Sequence, residues 1–179
     1  MRLLAYGIAA AGLALLLDPA RAAVPAGYIS IAQAEQVPAD ILYAVACAEA
    51  GRQMPDGRLR PWPWSLNVAG ESRYFDTRAA AHRALLDVLA ESPNVDIGLG
   101  QINWYWHRDR FRDPWQALDP YENLRAAARF LRELFDRCQC DDWWIAVEHY
   151  HAPSNTSGAE QRRSRYRKAV EQCWNDHAV

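Results

Sequence analysis

Asp96-Ile97-Gly98-Leu99-Gly100-Gln101-Ile102-Asn103 is the stretch on which the reading of this chain turns. Two glycines around one leucine let the backbone approach closely whatever it faces, and Gln101 and Asn103 bring amides that both donate and accept. Ser92-Pro93-Asn94 just before it breaks a helix, so Val95-Asp96-Ile97 is expected as a short strand. Upstream, Ser65–Val68 and Ser72–Phe75 read as two further short strands around a turn at 69–71. Arg60-Pro61-Trp62-Pro63-Trp64 ahead of them cannot be helix interior.

Helices surround this small sheet. Pro38 opens one, where its missing N–H costs nothing, and Gly51 closes it. Thr77 is a suitable N-cap for a second, with Ala81, Ala84, Leu85, Val88 and Leu89 on one side. Leu124, Ala127, Ala128, Leu131, Leu134 and Phe135 form the apolar stripe of a third. Trp143, Ala146, Val147 and Tyr150 form that of a fourth, and a last helix carries Tyr166, Ala169, Val170, Cys173 and Trp174. The pattern predicts an α+β fold, mainly helical, with a small antiparallel sheet inserted after the first helix.

One charged residue does not fit its stripe. Ile41, Leu42, Val45 and Ala46 recur on one face of the first helix, and Glu49 falls on that same face. A carboxyl held there loses solvation, which raises its pKa and keeps it protonated near neutral pH. A protonated carboxyl in a cleft is what general acid catalysis of glycosidic cleavage requires. The amides of Gln101 and Asn103 suit the acetamido and hydroxyl groups of an amino sugar. Tyr150, in Ala146-Val147-Glu148-His149-Tyr150-His151-Ala152-Pro153, ends an apolar stripe just before a breaker, so its ring can pack while its hydroxyl reaches a cleft.

The chain has 179 residues and a formal charge of -2, which suits one domain and gives no hint of a polyanionic partner. Nucleic acid is therefore not expected as a partner, and the basic run Arg162–Lys168 reads as an exposed helix face. Arg2, the apolar run Leu3–Leu17 and Ala20-Arg21-Ala22 have the order of a secretory signal peptide. Residues 1–22 are expected to be removed, leaving a single domain over 23–179, exported to the periplasm and not held in the membrane. Four cysteines in an exported chain predict two disulfides. A bridge between Cys138 and Cys140 would close a very small loop, so Cys47 and Cys173 are each expected to pair with one of those two. Cys138, Cys140, His149 and His151 could instead be set against zinc, but their spacing is poor for it, so no metal or organic cofactor is expected.

Taken in order, a helix ending in Glu49, Gly-Leu-Gly-Gln-Ile-Asn at 98–103, Asn123-Leu124 and Ala146-x-x-x-Tyr150-x-Ala152 resemble the soluble lytic transglycosylase family. The resemblance spans roughly Val37 to Ala152. It implies a lysozyme-like fold, with Glu49 as catalytic acid and Gln101, Asn103 and Tyr150 on the substrate side; Asp96 is a further candidate there, at a position where many members of that family have no carboxylate. The implied substrate is peptidoglycan glycan strands, cut between N-acetylmuramic acid and N-acetylglucosamine with formation of a 1,6-anhydro product. Ala50 stands where the family usually has Ser, Gly100 where it has Met, and His151 where it has Asn. The longer segment between Glu49 and Gln101 resembles a subgroup associated with conjugative elements and type IV secretion, so a cell-envelope complex is an expected partner. Asp96 to Asn103 also resembles the segment bearing the second carboxylate of animal C-type lysozymes. A hydrolase using Glu49 and Asp96, and a wall-binding assembly protein without turnover, therefore stand as alternatives. Asp96 is expected to point into the sheet and accept backbone N–H bonds. Trp104 and Trp106 are candidates to stack on sugar faces.

Overall fold

The computed structural model describes residues 24–177 apart from 140 and 153–155. The expected signal segment 1–22 lies outside the described residues. Among the described residues no helix is long and apolar enough to cross a membrane.

The fold is α+β and mainly helical, with two small antiparallel sheets following the first two helices. Helix α1 (Ala26–Ala34) was not expected and precedes α2 (Ala39–Ala50), so the sheet insertion follows the second helix rather than the first. Every residue of α2 from Ile41 to Cys47 is buried. An apolar face had been expected there, but α2 is the central helix, enclosed by α1, by a β-hairpin and by the later helices α6 (Pro120–Cys138) and α8 (Ala159–His177). A helix apolar on all sides is stable only in such a position.

Strands β1 (Gly51–Gln53) and β2 (Leu59–Pro61) make a hairpin directly off the end of α2, a feature absent from the strand pattern of the sequence. The second sheet runs β4 (Glu71–Tyr74), β3 (Ser65–Val68), β5 (Val95–Ile97), β6 (Ile102–Asn103). Within it Asp96 pairs with Asn67 on one side and Asn103 on the other. Strand alternation puts Val95 and Ile97 in the core and leaves Asp96 half-buried on the opposite face. Helix α3 (Arg78–Glu91) connects β4 to β5, and the Thr77 hydroxyl accepts from Ala80 N at 3.2 Å as the expected cap.

After β6 come the short helices α4 (Trp104–His107) and α5 (Pro114–Ala117), then the long α6. Asp119 caps α6 through Tyr121 N and Glu122 N at 3.0 and 3.2 Å, and Arg78 pairs with its other oxygen at 3.0 Å. The expected stripe of α6 is buried from Leu124 to Leu134, and at its end the partly buried Phe135 stacks on Trp143 of α7 (Trp143–His151), ring centroids 4.1 Å apart.

The disulfide expectation is corrected in its pairing. Cys47 of α2 joins Cys173 of α8, with Cα atoms 6.0 Å apart. Cys138 is disulfide-bonded as well, and its thiolate is thereby withdrawn from metal chemistry. The physical reason is the position of α8, which loop size does not reveal. Packed along α2, it brings together two sulfurs 126 residues apart in the chain. Closing a loop of that length removes about 5 kcal/mol of chain entropy from the unfolded state in the simple polymer treatment.

Candidate active site

Glu49 sits in the last turn of α2, where the helix leaves the core for the β1–β2 hairpin. Burial raises its pKa to about 7. The nearby Tyr166 hydroxyl pulls the value down, and the charge of Asp96 pushes it up again. The carboxyl is thus protonated in a large fraction of molecules at neutral pH. Asp96 is raised too, first by burial, against the lowering effects of its Asn103 hydrogen bond and of His151. Three groups from three elements therefore converge on Glu49: Asp96 from β5, Tyr150 from α7 and Tyr166 from α8.

The 98–103 turn is held in place by Asn123, which is buried in the first turn of α6. Its Nδ2 donates to Ile97 O at 2.8 Å and Ala117 O at 2.9 Å, while its Oδ1 accepts from Gly100 N at 2.8 Å. Gly98 has φ +73°, and a Cβ there would lie 2.7 Å from the Asn123 amide. At Gly100 a Cβ would lie 2.5 Å from the Ala127 Cβ and 3.0 Å from the Tyr150 hydroxyl. Gly100 is thus the residue this packing demands. Tyr150, buried and with its pKa raised well above the usual value by burial, donates to Gly100 O at 2.8 Å. Its hydroxyl serves the turn rather than an open cleft.

Gln101 adopts φ +43°, an unfavourable region for a residue with a side chain, at a cost on the order of 1 kcal/mol. Its Nε2 holds that conformation by donating to Gly98 O at 2.8 Å and to Ser65 Oγ at 3.1 Å. Only Oε1 is left to meet a ligand. Ser65, which sequence reasoning passed over as a strand residue, is buried and itself donates toward Gly98 O and Trp62 O, both at 3.2 Å.

Asn103 is more heavily engaged than expected. Its Nδ2 donates to Asn94 Oδ1 at 2.9 Å and Asp96 Oδ1 at 2.8 Å, and its Oδ1 caps α4 by accepting from Trp106 N at 3.3 Å. With both amide hydrogens spent, it positions Asp96 in place of binding through its donors. The expectation for Asp96 is corrected as well: its described hydrogen bond comes from the Asn103 side chain, not from backbone N–H groups. The cause is the strand register, which sets Asp96 directly opposite Asn103 on the non-core face.

The two tryptophans beside the turn part company. Trp104 packs against the core, whereas Trp106 is 72% exposed, with Tyr105 edge-on at 4.6 Å. His151 stacks on Tyr166 at 5.0 Å and 13°, and burial lowers its pKa while Asp96 opposes that. Tyr166 escaped the sequence reading because it sits on an apolar stripe like any core tyrosine. Two surface concavities of about 480 and 470 Å³ do not contain Glu49. One is bounded by Glu160, Gln161, Ser164 and Arg165 on α8. The other begins at Arg52, just past Glu49, and runs to Trp62 and Asp76.

Comparison with protein-family models, with curated proteins and with solved structures found no match to this chain.

Proposed function

We propose that the protein is a peptidoglycan lytic transglycosylase with Glu49 as its catalytic acid and base. The observation that carries this reading is a carboxyl in the last turn of α2, its pKa raised to about 7 by burial, with the charge of Asp96 acting on it and a glycine turn held by Asn123. A group with that pKa can give and take a proton at neutral pH with comparable ease. In the first step Glu49 protonates the glycosidic oxygen as the bond from C1 of N-acetylmuramic acid breaks. In the second the Glu49 carboxylate takes the proton of the muramyl 6-hydroxyl as that oxygen closes on C1, giving the 1,6-anhydro end and the acid restored. Asp96 would steady the cationic sugar between the steps through its negative charge, and Gln101 Oε1 would accept from an acetamido N–H. Trp106 offers an exposed ring face to a neighbouring sugar. No metal or organic cofactor enters either step. Export to the periplasm and local opening of the wall for a conjugation or secretion complex complete the proposal.

The second reading, hydrolysis with Asp96 as nucleophile or ion stabiliser, is supported by the half-buried position of Asp96 on the non-core face of β5, from which its charge acts on Glu49. Digestion of purified sacculi followed by mass spectrometry separates the two. Anhydromuropeptides are expected, and Glu49→Gln should lower their release by at least ~10²-fold while the protein stays folded. Products ending in reducing N-acetylmuramic acid would make the enzyme a hydrolase. Undiminished release by folded Glu49→Gln would remove Glu49 from the chemistry.

A further inference from the structure

Helix α8 meets α2 at three points. Trp174 Nε1 donates to Asp40 Oδ2 at 3.0 Å, Cys173 is bonded to Cys47, and Tyr166 reaches Glu49. Cys47 lies two residues before Glu49. Tyr166 and Cys173 are seven residues apart, two helical turns, and so share a face of α8. The disulfide is thus built into the same contact that presents the tyrosine.

The Tyr166 ring is clamped. It lies nearly parallel to Tyr150 (6.4 Å, 7°) on one contact and to His151 (5.0 Å, 13°) on another. Its hydroxyl is buried and makes no hydrogen bond within the described structure, an arrangement that is costly unless a reacting group supplies the bond. The group it faces is the Glu49 carboxyl. Hydrogen bonds of catalytic groups are often poorly aligned in unliganded sites and tighten with substrate.

We propose that Tyr166 is the positioning residue of Glu49, and that the Cys47–Cys173 disulfide keeps its hydroxyl there by pinning α8 to α2. The role rests on the reading of Glu49 as the acid. A phenol that donates to the carboxylate steadies it after the proton has left, so the acid stays strong enough to give its proton up. The other groups facing Glu49 cannot replace it. Asp96 of β5 repels the carboxylate, and the Tyr150 hydroxyl of α7 is committed to Gly100 O. Beyond them, His151 acts on Asp96, and Arg110, which acts on Tyr150, forms a bidentate pair with Glu133 at 2.8 and 2.6 Å.

The test is a carbon-13 NMR titration of the glutamate carboxyls in the full oxidised protein, with the Glu49 signal assigned by its loss in Glu49→Gln. Tyr166→Phe keeps the ring stacks and removes only the hydroxyl. It should raise the Glu49 pKa by roughly half a unit or more and lower kcat several-fold on glycan strands with KM unchanged. An unmoved Glu49 titration overturns the positioning role. The disulfide's part is read by a cycle: in the Cys47→Ala/Cys173→Ala background, Tyr166→Phe should shift Glu49 by much less than in the oxidised protein. A full shift there overturns the part given to the disulfide. If that double variant does not fold, mild reduction of the folded wild type gives the same reading, with Glu49 expected to move in the direction of Tyr166→Phe. The titration needs no turnover. Absence of glycan cleavage by the wild type would remove the proposed activity, whereas a missing titration shift would remove only the role of Tyr166.

Discussion

Replacing Glu49 by Gln should make the protein more stable above neutral pH, by an amount the site itself dictates. A glutamate free in the unfolded chain has a pKa near 4.5, and burial in the fold raises that of Glu49 to about 7. Between those values the native state binds a proton that the unfolded state has released, so stability must fall as pH rises through this window. The contribution is fully present below pH 4.5 and is lost above 7. A shift of about 2.5 units corresponds to about 3 kcal/mol. For a domain of this size that is roughly 6–12 °C in Tm. Gln is close in shape and does not titrate, so Glu49→Gln should lose this slope. Denaturant unfolding of both proteins from pH 4.5 to 8.5 gives the comparison. The two stability curves should stay close at the acid end and diverge by about 3 kcal/mol at pH 8.5, Glu49→Gln being the higher. Parallel curves would mean that Glu49 titrates like an exposed carboxyl, and the assignment of a poised acid would fall with them.

Asp96→Asn keeps an acceptor for Asn103 but removes the charge that raises the Glu49 pKa. The alkaline limb of the kcat–pH profile should therefore move to lower pH, with a loss of rate far smaller than in Glu49→Gln. Gly100→Ala should cost about 1–3 kcal/mol in denaturant unfolding, because its Cβ meets Ala127, and Ala127→Gly in the same chain should return part of that. Trp106→Ala should leave Tm unchanged, since the ring is exposed, and raise KM for glycan strands about tenfold, or about 1.4 kcal/mol of binding. An unchanged KM would remove Trp106 from the substrate path.

Local rules settled much of this protein in advance. The helix opened by Pro38, the cap at Thr77, the stripe of α6 and the strands around Asp96 follow from propensity, capping and periodicity, which act over a few residues. Glu49 was legible for the same reason, as a charge on an apolar face. The residues of the 98–103 turn were singled out in the sequence, but their hydrogen-bonding duties were not legible there. Asn103 and Tyr150 were expected to face a ligand and are instead bound to Asp96 and Gly100, because hydrogen-bond partners are assigned by register and helix packing. The enclosure of α2 on every side, the pairing of Cys47 with Cys173 and the arrival of Tyr166 at Glu49 all depend on α8 folding back along α2. No periodicity within α8 encodes that choice. A helix stripe states that a face will be buried, whereas the partner that buries it is selected by the packing of the whole chain.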